Sequence, residues 1–178
     1  CPVSNLRLAS GICPVPQMLD AGVPVGLAVD GSASNDSSDF LGEVRQCMLL
    51  HRIGSGVKSM PARRALQIAT QGSARILGRP DIGSLEVGKA ADLIMIDMNK
   101  LGYAGAMSDP VAAIVFSGDS HIVDMSIVNG KIVVKDGTLV NIKELEIVKD
   151  ANRISEQMLK QASRRTMISS NTAAFKKL

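Results

Sequence analysis

A short apolar segment that ends in a carboxylate constrains the fold of this 178-residue chain most strongly. Residues 23–29 read Val-Pro-Val-Gly-Leu-Ala-Val and are followed by Asp30 and Gly31. A continuous apolar run without polar alternation is typical of a buried strand in a parallel sheet. Asp30 then lies at the carboxyl end of that strand, where ligands and catalytic residues collect in open α/β sheets. The segment therefore predicts an α/β protein, with Asp30 as the first candidate for chemistry.

Apolar periodicity predicts helices before residue 83 and a long helix near the end of the chain. The first two predicted helices are residues 15–21 and residues 40–52, the second after a capping segment at 37–39. The third helix begins at 59–61, is interrupted near Gly72 and ends at 78–80. The fourth helix is residues 143–165. Residues 1–10 contain Ser4, Asn5 and Ser10, are followed by Gly11, and are predicted to form a loop. Residues 166–178 lack clear periodicity, and we expect them to be loosely held.

After Gly83 the pattern changes to short apolar runs separated by turn residues. Strands are predicted at residues 92–97, 111–117, 122–128 and 131–135. Asn129–Gly130 between the last two is a strong hairpin signal, and Asp136–Gly137 predicts a second turn. These features predict antiparallel β structure and a boundary near residues 78–83.

Composition excludes several classes of protein. A hydrophobic content of 46% with 21% charged residues indicates a folded protein, and 2% aromatic residues predict an aliphatic core. The net charge of +3 comes without a basic stripe interleaved with aromatics, so no nucleic-acid binding is predicted. Three cysteines without CxxC spacing argue against a disulfide framework. Without a signal sequence or an apolar run near 18 residues, we expect a cytoplasmic protein that does not bind membranes.

The candidates for chemistry leave two interpretations of Asp30 open. It is either a turn residue that accepts hydrogen bonds from the next residues, or a metal ligand or general base. The two histidines, His51 and His121, are far apart and are interpreted as structural. No HxH or HExxH pattern is present, so this chain alone is not expected to assemble a usual zinc site. Ser10 and Ser34 have no matching histidine for a hydrolase triad.

Several stretches together resemble the amidohydrolase superfamily, in its branch of s-triazine and nucleobase aminohydrolases. The matching stretches are Cys-Pro-Val-Ser-Asn at 1–5, Leu-Ala-Ser-Gly at 8–11, Asp-Ala-Gly-Val-Pro-Val-Gly-Leu at 20–27, Asp-Gly at 30–31, Ser-Asn at 34–35, residues 65–77, Gly-Ser-Leu-Glu-Val-Gly-Lys-Ala-Ala-Asp-Leu at 83–93 and Val-Asn-Gly-Lys at 128–131. Residues 29–36 and 102–106 are similar to the 8-oxoguanine deaminases of this branch. The resemblance extends over about residues 1–165.

The resemblance implies a (β/α)8 metal-dependent hydrolase barrel with a small β-sandwich domain. Residues 1–82 would form the C-terminal quarter of the barrel, residues 83–140 the C-terminal part of the sandwich, and residues 141–178 a helix and tail. The implied cofactor is a divalent metal, zinc or alternatively iron, which lowers the pKa of a bound water. Asp30 would be a metal ligand and the catalytic acceptor of that water's proton. Ser34, Ser4 and Asn5 would bind the substrate.

The predicted function is therefore hydrolytic deamination of a small purine-like or s-triazine-like heterocycle, with dechlorination of s-triazines as an alternative on the same scaffold. Because the family's metal-binding histidines have no counterpart here, we predict that this chain alone is inactive. The competing hypothesis is a non-catalytic oligomerisation or binding module derived from the same fold. Unpaired strand edges and apolar helix faces predict a homo-oligomer or association with the missing N-terminal part.

Overall fold

The structure is a computed structural model that describes residues 1–117 and 123–166. It contains two compact units, Cys1–Thr138 and Leu139–Leu178. The finer division at residues 82/83 and 140/141 stays a prediction. Among the described helices, none combines the length and the apolar character that crossing a membrane requires.

Short helices dominate the first part of the first unit. They are α1 (Pro2–Leu8), α2 (Val15–Asp20), α3 (Phe40–Ser55), α4 (Ala62–Gln67), a π-helical turn (Ile68–Gly72) and α5 (Ser73–Ile76). The helices predicted at 15–21 and 40–52 are confirmed, and so is the interruption near Gly72. Asp39 caps α3, since its Oδ1 accepts a hydrogen bond from the Gly42 amide at 2.9 Å.

Two segments fold differently from the prediction. Residues 1–10 contain α1 instead of a loop, because Pro2 suits the first helical turn and Ala9 ends the helix in the left-handed conformation with φ 54°. Residues 111–117 were expected to form a strand, but the structure has a helix there, α6 (Pro110–Phe116). A short apolar run does not by itself distinguish a strand from a buried helix. The Asp109 side chain decides it by accepting a hydrogen bond from the Ala112 amide at 3.0 Å.

A small antiparallel sheet follows the helices. Its strands are β1 (Leu93–Met95), β2 (Met125–Val128), β3 (Lys131–Lys135) and β4 (Thr138–Leu139), in the order β1-β2-β3-β4. Leu93 lies opposite Ile127 and Met125 opposite Lys135. The hairpin predicted at Asn129–Gly130 is confirmed, and both residues have positive φ as a type I′ turn requires. Part of the strand predicted at 122–128 is β2, while Ile122 lies outside the described residues.

The apolar segment 23–29 packs on the helices without pairing as a strand in the described part of the chain, so the strand prediction is wrong for this structure. The Leu27 amide donates to Ser73 Oγ at 3.1 Å, and that hydroxyl lies 3.2 Å from the Leu27 carbonyl. A Cβ placed on Gly72 would lie only 2.3 Å from the Val25 carbonyl oxygen. The segment therefore depends on a residue without a side chain at position 72.

An aliphatic core fills the space between these elements, as the low aromatic content predicts. It brings the segment 23–29 together with α2, α3, α4, the π-helical turn and α6. Its buried members are Val15, Leu27, Val44, Cys47, Met48, Met60, Ala62, Ala65, Ile68, Ala69 and Val115. Leu27 lies three residues before Asp30, so the core anchors the backbone that leads to this carboxylate.

The second unit contains α7 (Glu144–Thr166), which confirms the helix predicted at 143–165. Its apolar side chains are exposed, and they are Leu145, Ile147, Val148, Ile154, Met158 and Leu159. Residues 167–178, expected to be loosely held, lie outside the described part of the chain.

Candidate functional site

Asp30 is the centre of a hydrogen-bonded cluster at the end of the segment 23–29. Two hydroxyls meet on one of its oxygens: Ser4 Oγ donates to Oδ2 at 2.7 Å, and Ser34 Oγ donates to the same Oδ2 at 2.8 Å. The other oxygen, Oδ1, accepts from the Gly31 amide at 2.8 Å. Oδ2 is thus saturated by two donors, whereas Oδ1 keeps a lone pair for a further partner.

These hydrogen bonds also set the charge of the carboxyl group. The hydroxyl of Ser4, then that of Ser34 and the Gly31 amide, hold the pKa of Asp30 below its ordinary value, because each donor favours the anion. Asp30 is also exposed to solvent, and it is therefore ionised at neutral pH. An anionic oxygen with a free lone pair can bind a cation or accept a proton.

The backbone places Asp30 in an uncommon conformation. Its φ is 67°, in the left-handed region that Asp and Asn enter more readily than most residues with a side chain. The next residues form a tight turn in which the amides of Ser34 and Asn35 both donate to the Gly31 carbonyl at 3.0 Å. This turn returns the Ser34 hydroxyl to the carboxylate four residues earlier.

A buried carboxylate lies behind this cluster. Glu43 on α3 is fully buried, and its Oε1 accepts from Asn35 Nδ2 at 2.6 Å. Its Oε2 accepts from the Val3 amide in the first turn of α1 at 3.0 Å. Neither Glu43 nor Asn35 is predicted as a site residue from the sequence. The available signal is the position of Glu43, four residues before Cys47 and eight before His51 on the apolar face of a helix.

Ser4 and Ser34 both hydrogen-bond to Asp30, whereas the described hydrogen bonds include none between Asn5 and Asp30. Asn5 instead lines a cavity of about 80 Å³ that it shares with His51 and Leu27. His51 is largely buried, and burial lowers the pKa of its imidazole. His121 lies outside the described residues.

Asp30 is the candidate metal ligand of this cluster. Within residues 1–117 and 123–166, no group of three or more His, Cys, Asp and Glu side chains is arranged to hold a metal ion. The Asp30 carboxylate has a free lone pair on Oδ1, so it can supply one ligand to a metal ion. The described residues therefore do not make a complete metal centre, and Asp30 could contribute one ligand to a larger one.

Comparison with known proteins places the chain in a family. The amidohydrolase family profile matches residues 1–133. The chain is 41% identical over 154 residues to a 5-methylthioadenosine/S-adenosylhomocysteine deaminase of Pelotomaculum thermopropionicum, covering 86% of this chain and 35% of the relative. It is 45% identical over 139 residues to an 8-oxoguanine deaminase of Pseudomonas aeruginosa, covering 78% of this chain and 30% of that protein. The chain belongs to the amidohydrolase family.

Solved structures agree with this assignment. An atrazine chlorohydrolase of Arthrobacter aurescens complexed with zinc has a TM-score of 0.79 to this chain at 35% sequence identity. The matched region covers 85% of this chain and 34% of the chlorohydrolase chain. An adenosine deaminase of Xanthomonas campestris with bound zinc has a TM-score of 0.84 at 31% sequence identity. The matched region covers 90% of this chain and 37% of the deaminase chain. The predicted family and the predicted fold class, an α/β part of the amidohydrolase fold, are confirmed. The chain spans about a third of the length of these relatives.

Proposed function

We propose that this chain is the C-terminal portion of a metal-dependent amidohydrolase that removes an amino group from a purine-like heterocycle by hydrolysis. The observation that carries the proposal is the ionised Asp30, oriented by two serine hydroxyls at the end of a segment anchored in the core. Family membership and the similarity to deaminases of 8-oxoguanine and of S-adenosylhomocysteine support the substrate class.

Asp30 is proposed as one ligand of a divalent cation and as a catalytic proton acceptor. Zinc is supported by the two similar structures that contain it, and iron is the alternative. The donors on Asp30 favour its anion, which is the form that binds a cation and accepts a proton. The remaining ligands would come from outside the described residues, so we propose that this chain alone is inactive and needs the rest of the fold.

Ser34 and Ser4 are proposed to contact the substrate as hydrogen-bond acceptors. Each hydroxyl has one proton: Ser4 Oγ donates to Asp30, and Ser34 Oγ lies 2.8 Å from Asp30 Oδ2 and 3.0 Å from the Gly31 carbonyl oxygen. The lone pairs that remain on the oxygens can accept from N–H groups of a heterocycle, and Ser34 is the better placed of the two because Ser4 is only 2% exposed. Asn5 is proposed as a more distant contact through the cavity it shares with His51.

The test is to purify the gene product at its natural length and to measure its intact mass, metal content and hydrolysis of 8-oxoguanine, S-adenosylhomocysteine and 5′-deoxyadenosine. Asp30→Asn should lower kcat by roughly a hundredfold or more, since this is the range that a lost acid–base group gives. Asp36→Asn is the matched control, because Asp36 is an exposed carboxylate in the same loop that pairs with Arg7. Full activity in the Asp30 variant would contradict the proposal.

A second leaving group deserves a direct assay. The atrazine chlorohydrolase has a TM-score of 0.79 to this chain, so removal of chloride from an s-triazine is the alternative reaction. Release of chloride without ammonia from a chlorinated triazine would favour it. A natural-length protein with no metal and no turnover would instead favour a non-catalytic oligomerisation or binding module.

A further inference from the structure

We propose that Glu43 is a positioning residue that holds the Asp30 carboxylate in one orientation without touching it. The proposal deepens the function given above and rests on the role proposed there for Asp30. The supporting observation is that the buried Glu43 carboxylate accepts hydrogen bonds from Val3 and Asn35. Each of these residues is next in the chain to a serine whose hydroxyl binds Asp30.

The two oxygens of Glu43 hold the two segments that bring the serines to Asp30. Oε2 accepts from the amide of Val3, and Ser4 is the next residue along the chain. Oε1 accepts from Nδ2 of Asn35, and Ser34 is the residue before it. Each oxygen is therefore bound to a residue that adjoins one of the two serines.

Burial makes this arrangement specific. Glu43 is 0% exposed and Asn35 is 1% exposed, so water does not replace the hydrogen bond between them when it is lost, while the bond from the Val3 amide is partly buried. The described donors to Glu43 are two neutral N–H groups, and their hydrogen bonds offset only part of the free-energy cost of removing a carboxylate from water. An apolar side chain at this position would fill the same space on the apolar face of α3. The carboxylate differs from it in having two acceptors that point to different segments.

The consequence for Asp30 follows from its own geometry. Both serine hydroxyls donate to the same oxygen, Oδ2, and their loss leaves the carboxylate held through Oδ1 alone, by the Gly31 amide. A carboxylate held by one donor can rotate about its Cβ–Cγ bond. The free lone pair of Oδ1 would then lose its fixed direction.

Glu43→Gln tests this with little change of volume. The amide keeps one acceptor but turns the other into a donor that faces Val3 N or Asn35 Nδ2. In the natural-length protein, hydrogen exchange at the Val3 amide should become at least about tenfold faster, the factor expected when a buried acceptor is lost, and exchange at the Gly31 and Asn35 amides should also become faster because the turn that carries Ser34 is held less firmly. In the active enzyme kcat should fall about tenfold with KM within about twofold, because a positioning residue acts on the reacting group.

A double variant provides the rescue. Glu43→Gln combined with Asn35→Asp exchanges donor and acceptor, so that residue 43 donates to residue 35 while its oxygen still accepts from Val3. Exchange at the three amides and kcat should both return towards the wild-type values. Cys47→Ala is the control for general loss of packing, since Cys47 is buried one turn along the same face of α3 and the described hydrogen bonds join it to neither Val3 nor Asn35.

The outcomes separate this proposal from the proposed function. Uniformly faster exchange in Glu43→Gln, as expected for Cys47→Ala, would overturn the positioning role, and so would failure of the double variant to restore exchange. Unchanged kcat in an enzyme that Asp30→Asn inactivates would overturn it as well. If the wild-type protein proves inactive, the proposed function fails, while local exchange at the three amides still decides whether Glu43 holds the Asp30 cluster.

Discussion

Substituting Gly72 by alanine tests the contact that anchors the segment leading to Asp30. Gly72 ends the π-helical turn, and a Cβ there would lie 2.3 Å from the carbonyl oxygen of Val25. Ordinary contact begins near 3.4 Å, so the backbone of the segment must move by about 1 Å. The obstacle is a backbone atom, which cannot change rotamer to make room.

The expected magnitude follows from two opposing effects. Overpacking costs typically 1–3 kcal/mol, and a clash with backbone falls at about 3 kcal/mol, the upper end of that range. Gly72 has helical dihedrals, so alanine recovers about 1 kcal/mol of helix propensity. The net loss in the free energy of unfolding is about 2 kcal/mol, which lowers Tm by roughly 4–8 °C in a protein of this size.

The measurement is urea and thermal unfolding followed by circular dichroism, with Gly54→Ala as the matched control. Gly54 lies in the last turn of α3, where an added Cβ meets nothing within 4 Å. Alanine should therefore stabilise the protein at position 54, by up to about 1 kcal/mol, and destabilise it at position 72. A Gly72→Ala variant as stable as the wild type would refute the close packing of Val25 on this turn.

Two further predictions concern titrating groups. Burial lowers the pKa of His51 in the folded protein. As the pH falls below about 6.5, the imidazole therefore becomes protonated in the unfolded chain before it does so in the folded chain. The free energy of unfolding should therefore decrease between pH 7 and 5, and His51→Gln should flatten this slope; an unchanged slope would contradict the assignment. Burial also raises the pKa of the Cys47 thiol to about 11, whereas Cys13 is exposed. Iodoacetamide at pH 8 should modify Cys13 promptly and Cys47 only after unfolding, as read by mass spectrometry of peptides.

Local sequence signals explain which elements are predictable. The helix α3 and the hairpin at Asn129–Gly130 are encoded by an N-cap, an apolar stripe and a turn dipeptide, each of which acts over a few residues. The segment 23–29 has the composition of a buried strand, but strand pairing needs a neighbour, and none is present in the described residues. Its apolar character correctly indicates burial, and Leu27 is in the core.

The site shows the same division between local and distant information. Asp30 is a candidate from the sequence because it follows an apolar segment directly, whereas Ser34 is suggested by the family resemblance. Ser4 is suggested by the family resemblance, and its hydrogen bond to Asp30 joins residues 26 positions apart. The link through Glu43 joins residues 40 positions apart and depends on how α1 packs against α3. No pattern within either helix specifies that packing.

The left-handed backbone of Asp30 has a consequence for how this chain can be engineered. Glycine adopts a φ of 67° without steric strain, so glycine at position 30 would relax the turn, but it would also lose the three hydrogen bonds that Asp30 accepts. The same change would delete the carboxylate on which the proposed chemistry depends. A screen that selects only for thermostability or expression measures the balance of strain and hydrogen bonds and not the chemistry, so stabilised variants of this protein need a functional filter at position 30.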